Sequence, residues 1–192
     1  MAEIKLIVGL NNPGNEYKET RHNAGKWVID ALLDRFNGQL KTDKKFFADV
    51  GEIMIYNHRV RIICPNTYMN ASGKAVEPFM NFYNIIPEEV LVIHDEMALE
   101  PGEVRFKFGG GHAGHNGLRD IHRFAGDKYW RLRVGIGHPG DKNKVSGYVL
   151  GKPSAEQRPL LAQAVEKAAR GIEDAFSQGL DKTMNTFNQK GK

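Results

Sequence analysis

Apolar residues along this chain follow two rhythms, and their alternation predicts the architecture. Residues 4–10 form a short run rich in Ile, Leu and Val that stops at Asn11-Asn12-Pro13-Gly14, as a buried strand does when it runs into a turn. Ala24, Trp27, Val28, Ala31, Leu32 and Phe36 then recur at helical spacing, and Gly38 supplies a stop. Residues 48–56 and 60–64 are strand-like and flank Asn57-His58, which reads as a hairpin turn. Ala75, Val76, Phe79 and Phe82 predict a helix over 70–83 with a kink at Pro78.

The second half repeats the alternation. Residues 90–94 are a strongly apolar strand ending in the acids Asp95 and Glu96. Residues 103–108 alternate as a strand, residues 109–117 are glycine-rich, and 118–124 make a short helix. Residues 130–137 are another strand, with Arg131 and Arg133 on one face and Leu132 and Val134 on the other. A long amphipathic helix over 155–178 begins after Pro153-Ser154 and closes at Gly179. The expected fold is α/β: a single domain over residues 1–192, with a twisted mixed β-sheet flanked by helices on both faces. In such sheets ligands gather outside the carboxyl ends of strands. Asn12, Asp95 and the loop 109–117 all fall just past a strand, which places them in one crevice.

Composition narrows the class. With 41% hydrophobic and 26% charged residues in 192, the chain has the make-up of an ordinary folded protein. Residues 1–10 lack the basic and small-residue features of a leader, and no apolar window is long enough to span a membrane. A cytoplasmic protein without membrane association is expected, with monomer as the default. The lone Cys64 lies in an apolar run and reads as packing. The net charge of +4 is unevenly spread, since residues 102–144 hold nine Lys or Arg against four acids. A polyanion is drawn to such a stretch.

The chemistry lies in five blocks. Gly9-Leu10-Asn11-Asn12-Pro13-Gly14-Asn15-Glu16-Tyr17 is followed at once by Thr20-Arg21-His22-Asn23-Ala24-Gly25. Then come Pro65-Asn66-Thr67-Tyr68-Met69-Asn70-Ala71-Ser72-Gly73, His94-Asp95-Glu96, Gly114-His115-Asn116-Gly117-Leu118-Arg119, and Arg131-Leu132-Arg133-Val134-Gly135-Ile136-Gly137-His138-Pro139. In this order, over nearly the full chain, they closely resemble the bacterial peptidyl-tRNA hydrolases. The resemblance implies that His22 is the catalytic base and Asp95 its orienter. It implies that Asn12, Tyr17, Met69, Asn70 and Asn116 line the substrate cleft, and that Lys107 and Arg133 contact tRNA phosphate. The partner so implied is peptidyl-tRNA. Two departures, the run Gly109-Gly110-Gly111-His112-Ala113-Gly114 and Ala98 where many members carry an acid, bear on loop contacts.

The residues support this chemistry on their own terms. Ester hydrolysis by water needs a base near neutral pKa, a group fixing its tautomer, and donors for the developing oxyanion. A histidine with a carboxylate supplies the first two, and asparagine amides supply the third. Ser72 lacks a Gly-x-Ser-x-Gly setting, so direct water attack is the simpler route. Taken singly, each residue also has a structural use: a histidine or aspartate at a helix start caps, asparagines fill loops, and Met69 packs. Two other functions compete. His112 and His115 with Asp95 or His138 raise a metal-dependent hydrolase, yet no His-Glu-x-x-His helix or cysteine pair accompanies them. Phe106, Phe108, Tyr129 and Trp130 beside the basic stretch raise a non-catalytic RNA-binding module, but the alternation Arg105-Phe106-Lys107-Phe108 fits a strand with one buried face better. The glycine run lacks Gly-Lys-Ser/Thr, so no nucleotide cofactor is expected, and no metal.

Overall fold

The computed structural model describes residues 3–188. The expectation about a leader falls partly on residues 1–2, outside the described residues. The strands are β1 (Leu6–Gly9), β2 (Lys41–Asp43), β3 (Ala48–Ile55), β4 (His58–Pro65), β5 (Val90–Glu96), β6 (Val104–Phe108) and β7 (Trp130–Gly135). They form one sheet in the order β2-β3-β4-β1-β5-β7-β6. The central strands β4, β1, β5 and β7 run parallel, while β2, β3 and β6 are antiparallel to their neighbours. The sheet is mixed, as the pattern predicts.

Helices cover both faces. On one side Ile7, Leu91 and Ile93 pack with residues of α1 (Ala24–Arg35) and α5 (Gln157–Gln178). On the other, Leu6, Val8, Val90 and Val92 meet α2 (Gly73–Tyr83) and α3 (Asn116–Ala125). Odd and even positions of one strand thus serve opposite cores, which is why β1 and β5 read as unbroken apolar runs. Cys64 is 1% exposed in the first core. Burial pushes its thiol up to about 12, so it packs as expected.

The differences from expectation are local. The hairpin turns at Tyr56-Asn57, with Tyr56 at φ 53, and His58 already belongs to β4. The helix expected from residue 70 begins at Gly73, after a separate turn at Met69–Ala71, and runs through Pro78 to Tyr83. Three elements escape the sequence pattern: β2, α4 (Val145–Val149) and α6 (Leu180–Phe187). β2 has no apolar alternation and exists through its ladder to β3. Gly179, read as an end, takes φ 93 and lets the chain restart as α6.

After β1 the chain passes by α1 to the β2–β4 side, and after β4 it crosses by α2 to β5 on the other side of β1. A crevice therefore opens at the carboxyl ends of β1 and β5. Its depth depends on Gly25, at the start of α1. A Cβ there would stand 2.4 Å from Ile93 O and 2.9 Å from Leu10 N, so only glycine lets the helix rest on the two strand ends. Gly25→Ala is therefore expected to overpack this junction and cost about 2 kcal/mol. For a chain of this length that lowers Tm by roughly 4–8 °C. An unchanged Tm by calorimetry would mean that α1 has room to shift.

Candidate active site

The site is built outward from Asp95, at the end of β5. Its residue is 4% exposed. Oδ2 lies 2.8 Å from His22 Nδ1 and Oδ1 lies 2.8 Å from His115 Nε2. His22 arrives on the single turn Arg21–Asn23 that precedes α1. Asn23 fixes that turn against the β1 loop by pairing twice with Asn12: the Asn12 N–H donates to its Oδ1 at 2.8 Å, and its Nδ2 donates to Asn12 O at 2.9 Å. Arg21, stacked 3.8 Å over the Tyr148 ring and donating to Tyr148 O and Gln157 Oε1, ties the same turn to α4 and α5.

Hydrogen-bond direction settles both tautomers. His115 is the N-cap of α3, and its Nδ1 accepts the N–H groups of Gly117 and Leu118 at 3.2 and 3.4 Å. Its proton is therefore on Nε2, donated to Asp95. The ionised carboxylate only accepts, so His22 also presents an Nδ1–H to it and keeps a lone pair on Nε2 when neutral. Burial by itself would raise the Asp95 pKa, yet the two imidazoles hold it well below the usual carboxylate range. Burial likewise disfavours a charged His22, but the charge and hydrogen bond of Asp95 outweigh it and raise that pKa. An imidazole with its tautomer fixed is the result.

These groups face a cavity of about 440 Å³. Asn12, Tyr17, Met69, Asn70 and Asn116 line it, as do Lys107 and Arg133, so every residue that the family resemblance picks out reaches one hollow. Asn12 Oδ1 accepts the Met69 N–H at 2.6 Å, which leaves its Nδ2 as the free end. Met69 is 4% exposed and joins the core that holds Leu10 and Leu118. It packs and lines the wall at once. Asn70 and Asn116 stand exposed at the rim, and Tyr17 meets Tyr68 edge to face at 6.2 Å.

The cationic wall comes from strand register. Lys107 lies opposite Arg131, and Arg105 opposite Arg133, across the antiparallel β6–β7 pair. All four therefore share one face, an arrangement that repels. Glu103 pairs with Arg105 at 3.0 Å and Glu96 with Arg133 at 2.8 Å. Among the described residues no carboxylate pairs with Lys107 or Arg131. Arg131 instead donates to the carbonyls of Gly110, Gly111 and Asp127 at 2.6 to 3.2 Å, pinning the glycine loop over the cavity.

Sequence reasoning missed His94 and the anchoring role of Arg131, and weighed His115 only as a metal ligand. The signal for His115 was its place before a helix. Of the ligand set His112 and His115 with Asp95 or His138, only His115 and Asp95 meet, while His112 and His138 take the N–H groups of Gly114 and Gly140. A different trio, His22, Asp95 and His115, has donor atoms within 4.8 Å of one another. A cation there would have to displace the Nδ1 and Nε2 protons that make the two 2.8 Å bonds. Of the four aromatics of the stacking platform, Phe106, Tyr129 and Trp130 are at most 3% exposed and Phe108 alone, at 40%, offers its ring to solvent, so no continuous platform forms.

One cavity thus gathers a buried carboxylate bonded to an imidazole, amide groups and a cationic wall. The family model for peptidyl-tRNA hydrolase matches residues 6–192. The chain is 51% identical to the peptidyl-tRNA hydrolase of Serratia proteamaculans over 190 residues, covering 98% of this chain and 97% of that one. It is 52% identical to that of Mannheimia succiniciproducens, covering 98% of each. A crystal structure of peptidyl-tRNA hydrolase from Acinetobacter baumannii superposes with a TM-score of 0.95 at 48% identity, covering 98% and 96%. The chain belongs to the peptidyl-tRNA hydrolase family.

One buried group sets an acid limit on the site. Burial, aided by His115, pushes the His94 pKa down from 6.5 to about 4. The unfolded chain takes up a proton there near pH 6.5 while the native one refuses it, so stability falls as pH drops from about 6.5 to about 4. His122, lowered by burial and Arg131, acts in the same direction. His22, raised, adds stability below its unfolded value that is lost only as pH rises through its folded one. His94→Asn should therefore show a shallower fall in Tm between pH 6.5 and 4.5 than the parent. Parallel Tm curves would exclude His94 as the source.

Proposed function

We propose that this chain hydrolyses the ester between a peptidyl group and the terminal ribose of tRNA, using water activated by His22. The observation that carries the reading is the His22 Nδ1 to Asp95 Oδ2 bond of 2.8 Å inside the cavity. With Nδ1 protonated, Nε2 accepts a proton from water as the oxygen attacks the ester carbonyl. The imidazolium so formed is stabilised by Asp95, and it returns the proton to the departing ribose oxygen. Asn12 Nδ2, with Asn70 and Asn116 at the rim, supplies donors for the acyl carbonyl and the developing oxyanion.

Lys107 and Arg133 hold phosphate of the tRNA and do no chemistry. The shared face of four cations supports this, because a polyanion relieves their mutual repulsion. No helix among the described residues is long and apolar enough to cross a membrane. We read the protein as a cytoplasmic monomer, one domain over its length, needing no metal or cofactor. Undiminished turnover after exhaustive chelation is the matching check.

The pH dependence tests the catalytic pair. His22→Ala should be nearly inactive. Asp95→Asn should be slow, with the rising limb of kcat/KM against pH moved to lower pH, since a histidine without its carboxylate becomes a free base earlier. In the double variant the losses should fall well short of additive. Full additivity with an unmoved limb would assign Asp95 to the fold alone.

Salt separates binding from chemistry. Lys107→Ala and Arg133→Ala should weaken binding of full-length substrate and flatten its dependence on log salt by about one ion per contact. A minimal ester lacking most of the tRNA should feel the change less. Equal losses on both substrates would argue against a phosphate role.

A further inference from the structure

His94 stands in the cavity wall with no part in the base machinery. It is 2% exposed, next to Asp95 on β5, and the pleat turns the two side chains to opposite faces. Parallel register pairs His94 with Arg133 on β7. It therefore lies on the face of the cationic wall, one residue from the catalytic carboxylate, with its ring centroid 5.2 Å from that of His115.

Its hydrogen bonds are half made. Nδ1 lies 2.8 Å from the carbonyl oxygen of Asp95. A carbonyl only accepts, so Nδ1 carries the proton and Nε2 bears a lone pair. Nε2 is buried, and no donor among the described residues lies within reach of it. With its pKa pushed down to about 4 by burial and His115, the ring is neutral near pH 7 and Nε2 remains an acceptor. Buried acceptors without a partner are uncommon in folded proteins, so one that lines a binding cavity points to a donor on the ligand.

The chemistry of the ester narrows that donor. Its carbonyl, its bridging oxygen and the phosphates are acceptors, and none can meet a lone pair. The donors next to the ester are the adjacent ribose hydroxyl, on the leaving-group side, and the peptide N–H, on the acyl side. Covalent order in the substrate runs ester, ribose, phosphate. His94 follows neither group but joins them, being next to Asp95 along β5 and paired with Arg133 across the sheet, so that it stands between the His22 and Asp95 pair and the cationic face of β7 and β6. The two arrangements place the ribose at His94.

We propose that His94 Nε2 accepts a hydrogen bond from the ribose hydroxyl adjacent to the scissile ester, so that the site reads the terminal nucleotide as RNA. This rests on the ester-hydrolase reading above. A hydroxyl that is both donor and acceptor is the group by which proteins tell RNA from DNA. His94 is then a recognition residue for the leaving group.

The test compares an N-blocked aminoacyl ester on the 3′-oxygen of tRNA ending in adenosine with the same ester on tRNA ending in 2′-deoxyadenosine. Hydroxide-driven hydrolysis of both gives their chemical ratio, which is divided out. The parent enzyme should favour the ribose ester by about tenfold in kcat/KM beyond that ratio, the worth of one hydrogen bond. His94→Asn keeps an amide N–H for Asp95 O and has nothing at Nε2, so the preference should collapse. His94→Gln places an amide oxygen near Nε2 and should keep part of it. Tm values confirm that each variant is folded, and if His94→Asn is not, the parent and His94→Gln ratios decide. A parent without excess preference, or a preference that survives in His94→Asn, would overturn the proposal. A parent that hydrolyses neither ester overturns the hydrolase reading first and this one with it.

Discussion

A single ionised carboxylate, buried between two imidazoles, is the constraint to which the rest of this site answers. Sealing a charge away from water is costly unless hydrogen bonds compensate. Asp95 has two such bonds of 2.8 Å, from residues that are neighbours only in the folded chain. Each partner is fixed by a different device. His22 rides on a turn clamped by Asn12 and Asn23, and His115 is held as the cap of α3. Three elements, β5, α1 and α3, must arrive together before the carboxylate is satisfied. The geometry of the site and the folding of this end of the sheet are therefore one requirement.

The bonds also have a direction. From the N-terminus of α3, donors run to His115 Nδ1, from His115 Nε2 to Asp95, and from His22 Nδ1 to the same carboxylate. Every polar hydrogen in the chain is assigned by what its neighbour can accept. The free lone pairs that remain, on His22 Nε2 and His94 Nε2, belong to two rings with opposite electrostatics. His22 gains from its carboxylate and takes a proton readily, whereas His94, buried in the cavity wall beside His115, refuses one. One is suited to receive a proton from water, and the other only to accept a hydrogen bond.

Much of this was legible in the sequence, and the limits are physical. The apolar runs that became β1 and β5 and the helical spacing of α1 and α5 were readable because burial imposes period and length on them. Asn12, Asp95 and the loop 109–117 could be placed in one crevice because each falls just past a strand. β2 was not readable, since Lys41-Thr42-Asp43 owes its conformation to a partner strand. His94 and Arg131 were missed for the same kind of reason. Which face a strand residue takes follows from pleat, but which neighbours it meets follows from register, and register is a property of the sheet. His115 looked like a metal ligand because spacing shows the residue type and not the carboxylate waiting beside it.

Register also explains why the cationic wall and the sheet edge coincide. β6 is the last strand, so its outer backbone groups are open to pairing with another chain. Asn188 closes part of that edge by accepting the Phe106 N–H at 3.0 Å and donating to Phe106 O at 2.8 Å. Beyond Asn188, the protection is charge. Arg105 and Lys107 on β6, facing Arg133 and Arg131 on β7, make the edge repel a second copy of itself. That repulsion destabilises the isolated protein slightly, and Glu96 and Glu103 offset only half of it. The uncompensated half, Lys107 and Arg131, lies where the cavity opens beside the glycine loop. The positive charge that keeps this sheet edge unpaired thereby also forms one wall of the cavity, beside an ionised carboxylate held by hydrogen bonds from its two histidines.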